Sequence, residues 1–231
     1  MRSRRLVAIR RNLDLLASVV LLGCFYSVLL LTLPASIVMD TELLRTIVNY
    51  SNSTMDLTFE FINEMGSVPF WLLIAGFLWL RKQRRVATYL LVGIIADALL
   101  ASLLKVVFAR PRPYEAMPDI RTIDAEPSGS FPSGHTERSF TSAVILSRFY
   151  RRWTLGLFAL GGLIAFARIY TGNHYPLDTV AGAVNGLVLG TVVVRIPIDS
   201  LERKLEIYWN RLTRRFKFIH DLENVAASLG H

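Results

Sequence analysis

Two long apolar runs set the frame for this chain. Leu15–Leu33 carries no charge, and Val86–Leu104 carries only Asp97. Each is close to the ~20 residues that a helix needs to cross a bilayer. Shorter uncharged runs follow at Met65–Leu80, Ser139–Ser147, Trp153–Ala167 and Thr179–Val194. Taken alone, each of these fits a buried helix. Together with the long runs they predict an all-α polytopic membrane protein with six transmembrane helices. The charged fraction of 19 % fits that class better than a soluble domain of 231 residues.

Positive charge orients the spans. Arg2, Arg4, Arg5, Arg10 and Arg11 precede the first run, and Arg81, Lys82, Arg84 and Arg85 follow the second. Arg148, Arg151 and Arg152 follow the fourth, and a basic tail follows the sixth. With six spans all of these fall on one side, so both termini are expected in the cytoplasm. The surplus of 26 Lys and Arg over 18 Asp and Glu is thereby a matter of topology, and no nucleic-acid partner is expected. The first run is too long for a signal peptide's apolar region and lacks a clean small-residue cleavage site, so it reads as a retained span. The one cysteine, Cys24, allows no intrachain disulfide. The sequence divides into a cytoplasmic start, first span and opening of the outer segment (1–53), a membrane core (54–197) and a basic cytoplasmic tail (198–231). The tail reads either as an amphipathic helix on anionic lipid or as a solvated charged end. The outer segments are then 34–64, 106–131 and 168–178. The first carries two glycosylation sequons, at Asn49 and Asn52, and short interface helices, one of them from Thr54 to Met65.

Several charges do not serve the topology. Lys105, Arg110, Arg112, His135, Arg138, Arg168, His174 and Asp178 all fall at span ends or loops on the outer side. Cations there run against the charge rule and need compensation, which an anion would supply. Lys105, Arg112 and Arg168 can surround one phosphate, and the amides of Ser133, Gly134 and His135 can complete the cradle at a helix start. Pro132 suits the first turn of that helix and Ser133 its cap. A neutral histidine serves as nucleophile or as acid and base. Asp178, four residues after His174, is placed to fix that ring's tautomer. A metal site has no HExxH and no cysteine set behind it, and neither a P-loop nor a GxSxG elbow is present. Asp97 lies near mid-membrane and is expected in an interhelical hydrogen bond, with Asn185 as the suggested partner. Glu137 is expected to pair with Arg138 or a loop cation. Phe70, Trp71, Phe77 and Trp79 read as lipid-facing or interface anchors.

Three stretches carry a resemblance. Lys105-Val-Val-Phe-Ala-Arg-Pro-Arg112-Pro113 resembles the K-x6-R-P motif of the type 2 phosphatidic acid phosphatases. Pro132-Ser133-Gly134-His135 resembles their P-S-G-H motif, and Arg168…His174…Asp178 their S-R-x5-H-x3-D motif. The resemblance covers about residues 54–195. It implies a six-helix membrane core and a lipid phosphatase that needs neither metal nor cofactor. It implies His174 as nucleophile, Asp178 as its orienting carboxylate and His135 as the acid that protonates the leaving oxygen. Lys105, Arg112, Ser133, Gly134 and Arg168 are implied to hold the phosphate. One departure is Ala167, where the motif has serine. The expected substrate is a lipid phosphate or diphosphate: polyprenyl diphosphate, phosphatidic acid or phosphatidylglycerophosphate. A phosphotransferase using the same phosphohistidine, or a non-catalytic lipid-phosphate binder, fits the same residues. Oligomeric state is left open.

Overall fold

A computed structural model describes residues 37–213, together with Ala17, Val20, Leu22, Phe25 and Tyr26 of the first apolar run. The rest of that run, and the tail beyond 213, lie outside the described residues. Helix α1 covers 37–49. It is followed by α2 (Ser53–Glu64), α3 (Val68–Leu80), α4 (Arg84–Phe108) and the single turn α5 (Pro113–Ala116). Then come α6 (Gly134–Phe149), a 3₁₀ turn (Arg151–Trp153), α7 (Thr154–Tyr170) and α8 (Pro176–Val193). A last helix, α9, covers 199–213. All regular structure among the described residues is helical.

The starts of these helices follow from local chemistry. The Asn52 side chain accepts from the amide of Met55, capping α2, and Ser67 caps α3 through Phe70. Pro69, Pro113 and Pro176 occupy first-turn positions, where no amide is needed. At its 25 residues, α4 is about 37 Å long, enough for the ~30 Å of bilayer hydrocarbon.

The six-span expectation meets a more graded picture. Among the described residues, three helices are long and apolar enough to cross a membrane: α4, α7 with its 3₁₀ turn, and α8. The α2–α3 pair passes the same test jointly, bent by 53° at the break. Helix α6 does not pass. It has 16 residues, and Thr136, Glu137, Arg138, Ser139, Thr141 and Ser142 among them are buried. It packs between α4, α7 and α8, so protein rather than lipid surrounds its polar atoms.

A stripe of small residues makes that packing close. A methyl group added at Gly182 would stand 2.5 Å from the Ser133 carbonyl oxygen, and at Gly186 2.4 Å from that of Glu137. At Gly190 it would stand 2.7 Å from Val144 Cβ. The four-residue spacing puts all three on one face of α8, against the backbone of α6. Trp71, Ala75, Val86, Leu90, Ile94, Ile145 and Val193 fill the core at the other end of the bundle. Trp71 is therefore a core residue and not a lipid-facing anchor, whereas Phe77 is exposed.

Asp97 has a different partner from the one expected. Its Oδ2 lies 2.9 Å from Arg138 Nε, and both side chains are buried. Asn185 is already taken: its amide donates to Glu137 at 3.3 Å, and it accepts from Tyr26 at 3.0 Å. Charge explains the choice, because a buried arginine on α6 needs a carboxylate more than an amide does. Asp97→Ala is expected to lower stability by about 3–5 kcal/mol by leaving Arg138 unpaired. Adding Arg138→Met should recover much of that loss. Thermal melting of the single and double variants in detergent checks both statements.

The tail folds back on the bundle. Leu205, Tyr208, Trp209 and Leu212 of α9 face Leu72, Ala75, Trp79 and Leu91 across an apolar groove. Arg84 pairs with Glu206, and Arg85 with Asp199 at 3.1 Å. Through residue 213 the apolar face of the tail is thus turned toward α3 and α4.

Candidate active site

The site forms at the end of the bundle where α4 finishes and α6 and α8 begin. His174 sits in the turn between α7 and α8 and is buried. Gly172, at φ +73°, makes that turn, and a methyl group there would stand 2.0 Å from the Arg121 carbonyl oxygen. The two ring nitrogens of His174 face different groups. Nδ1 lies 3.4 Å from Asp178 Oδ2, and Nε2 lies 3.4 Å from Arg112 Nη1. The first contact is close but lacks hydrogen-bond geometry. Such catalytic contacts are often long before substrate arrives. Burial, and then the nearby Arg168, Arg112 and Lys105 charges, hold the His174 pKa well below its ordinary value. The ring is therefore neutral at neutral pH, with a lone pair available.

Asp178 is held from several directions. Arg110 donates to Oδ1 at 2.6 Å, Ser130 donates its hydroxyl to Oδ2, and the Tyr175 amide donates to Oδ2 at 2.9 Å. Arg110 also bonds Asp40 of α1 at 2.7 Å and lies over the Tyr175 ring at 3.8 Å. Asp40 in turn accepts from the Leu177 amide at 2.7 Å. This chain of contacts ties α1 to the start of α8 and fixes the carboxylate behind His174.

The two arginines expected to hold the phosphate converge. Arg112 and Arg168 are fully buried, and both donate to Glu126, Arg112 at 2.6 Å. Arg112 also donates to the Ser128 and Asn173 carbonyls, at 2.7 and 3.1 Å, and Arg168 to Asn63 at 2.8 Å. Lys105 bonds the Ser128 hydroxyl at 2.9 Å. Burial alone would raise the pKa of Glu126. The guanidiniums of Arg168 and Arg112 override that and hold it well below the ordinary carboxylate value.

A cavity of about 430 Å³ adjoins this cluster. Lys105, Glu126, Ser128, Gly134, His135 and Arg138 line its polar side, and Val68, Pro69, Ala98 and Ala101 its apolar side. Pro69, Ala98 and Ser102 at its rim are exposed on α3 and α4. His135 stands in the first turn of α6, half-buried at the polar wall.

The structure brings Lys105, Arg112, Gly134, His135, Arg168, His174 and Asp178 into one neighbourhood. Ser133 serves differently from the expectation. Its amide donates to the Asp178 carbonyl at 3.0 Å and its hydroxyl contacts Thr136 at 3.0 Å, so neither is directed at an anion. The first-turn amides of Gly134 and His135 remain without intrahelical partners. Glu126, Ser130, Asn63 and Asp40 were not singled out by the sequence. Glu137 bonds Asn185 and not a cation.

The family model of the PAP2 superfamily matches residues 86–201. The chain belongs to the PAP2 superfamily. The matched span includes Lys105, Arg112, His135, Arg168, His174 and Asp178. This PAP2 protein is 28 % identical over 190 residues to an undecaprenyl-diphosphatase, BcrC, of Bacillus subtilis, covering 77 % of this chain and 97 % of that one. The crystal structure of Aquifex aeolicus LpxE superposes with a TM-score of 0.62 at 32 % identity, over 67 % of this chain and 94 % of that one. The structure of a transmembrane PAP2-type phosphatidylglycerolphosphate phosphatase from Bacillus subtilis superposes at 0.66 and 23 % identity, over 76 % and 93 % of the two chains, a likeness of fold. The apolar helices of this PAP2 protein fit an integral membrane protein.

Proposed function

We propose that this PAP2 protein hydrolyses a lipid phosphate or diphosphate through a phosphohistidine on His174, with polyprenyl diphosphate as the first substrate to test. The observation that carries the reading is the placement of His174 Nε2 beside Arg112, with Asp178 behind Nδ1. The likeness to an undecaprenyl-diphosphatase over most of both chains supports the substrate class.

In this reading Nε2 attacks phosphorus, and the bond from phosphorus to the lipid-side oxygen breaks. His135 gives its proton to that oxygen. Asp178 orients the His174 ring and stabilises the charge it gains. Lys105, Arg112, Arg168 and the Gly134 and His135 amides hold the phosphoryl oxygens. A water then passes a proton to His135 and attacks phosphorus. The nitrogen–phosphorus bond breaks, inorganic phosphate leaves and the neutral ring returns. The lipid tail lies along the apolar wall between α3 and α4. The basic clusters at the far ends of the helices support an extracytoplasmic position for this site.

The test is phosphate release by purified protein in detergent from undecaprenyl diphosphate, phosphatidic acid, phosphatidylglycerophosphate and a water-soluble ester. Turnover of one lipid well above the soluble ester, unchanged by EDTA, is the expected result. Among the described residues no three His, Cys, Asp or Glu side chains gather as a metal-ligand set. Activity that EDTA abolishes and one metal restores would refute the mechanism.

A further inference from the structure

The reading above gives Arg112 and Arg168 to the substrate phosphate, yet in the structure both are occupied. The Glu126 carboxylate spans them, one oxygen on each guanidinium. These are charge-assisted bonds between buried arginines and a carboxylate, not incidental surface contacts. Any anion that binds here must first displace this carboxylate.

The geometry allows the exchange. The Glu126 backbone is fixed, because the Tyr114 hydroxyl donates to its carbonyl at 3.0 Å and accepts from its amide at 3.1 Å. The side chain itself lines the cavity and is 22 % exposed. Rotation of that side chain alone frees the arginines. The loop need not unfold.

We infer that Glu126 is an internal competitor that sets a binding threshold, keeping weakly held phosphodiester headgroups out of the site while yielding to a terminal phosphate. The argument is one of charge and oxygen count. A carboxylate has one negative charge and two oxygens. A phosphodiester, the group in ordinary phospholipids, likewise offers one charge and two free oxygens. Exchanging one for the other gains nothing, and the bridge stays. A terminal phosphate brings up to two charges and three free oxygens. The third oxygen reaches donors that the carboxylate leaves unused, namely Lys105 and the Gly134 and His135 amides. That surplus drives the exchange. A site inside a bilayer is bathed in phosphodiesters, so a cationic pocket without such a competitor would be filled by them.

The inference rests on the reading of this cluster as a phosphate site, and one experiment separates the two. Full-length wild type and Glu126→Gln, in detergent, are titrated calorimetrically with inorganic phosphate and with dihexanoyl phosphatidylglycerol, a soluble phosphodiester. Removing the competing charge should tighten diester binding by about tenfold, the worth of one charge-assisted hydrogen bond. Phosphate affinity should rise by a similar factor, because both anions displace the same carboxylate, and the diester, the weaker ligand, should cross from negligible to measurable binding. Equal diester affinity in both proteins, with phosphate binding retained, would overturn the inference alone. Weaker phosphate binding in Glu126→Gln would make the carboxylate a brace for the arginines and overturn it as well. No phosphate binding by wild type would overturn the reading of the site and the inference with it. Should Glu126→Gln fail to fold, Glu126→Asp, too short to span both arginines, reads out the same way.

Discussion

His174→Ala is expected to remove phosphate release, lowering turnover by about 10,000-fold or more while leaving the fold in place. Under the proposed mechanism the loss follows from chemistry: among the described residues no other imidazole contacts Arg112, so no bond from nitrogen to phosphorus would form. The fold survives because the neighbours do not depend on the ring. Asp178 keeps Arg110, Ser130 and the Tyr175 amide, and Arg112 keeps Glu126, Ser128 and Asn173. No buried charge is orphaned, so the stability change should stay near 1–2 kcal/mol. Single-turnover assays with a radiolabelled diphosphate, beside melting curves, check both halves. Wild-type rates from a folded His174→Ala protein would assign the nucleophile elsewhere.

Gly186→Ala should lower stability by about 3 kcal/mol or more. The added methyl would press on the carbonyl of Glu137 at 2.4 Å and the Phe140 side chain at 2.7 Å. A backbone oxygen in the middle of a helix cannot turn aside, so α8 and α6 would have to separate. That separation would also move Ser133, whose amide holds the Asp178 carbonyl. Gly76→Ala is the control: a methyl there meets nothing within 4 Å and should be close to neutral. Comparable melting temperatures for the two variants would show that helix contact at Gly186 is looser than described.

Much of this architecture was legible because it obeys periodic or charge rules. The apolar run of α4 needs no partner to announce itself, and the outer cations stood out as violations of the charge rule. His174 and Asp178 were readable from their spacing and from the proline that starts α8. Glu126 was not, since it lies in an irregular loop where no period fixes what a side chain faces. Its one visible signal was the excess of cations around a predicted anion site, which calls for some counter-charge. The Arg138 partner of Asp97 was missed for a related reason: α6 looked like a span, so its polar residues seemed to belong at its ends. Once α6 is seen to be enclosed by protein, a mid-helix arginine needs an acid on the neighbouring helix. The packing of tail residues Leu205, Tyr208 and Trp209 toward α3 and α4 was not legible, because sequence shows an apolar face without showing what covers it.

The exposed rim of the cavity at Pro69, Ala98 and Ser102 bears on how this enzyme's rates are to be expressed. A lipid substrate that enters by this rim would arrive by lateral diffusion, without passing through bulk water. Velocity therefore follows the mole fraction of substrate in the micelle or vesicle, not its molarity. Adding detergent at constant total substrate should slow the reaction by surface dilution, and a Michaelis constant in molar units would change with every preparation.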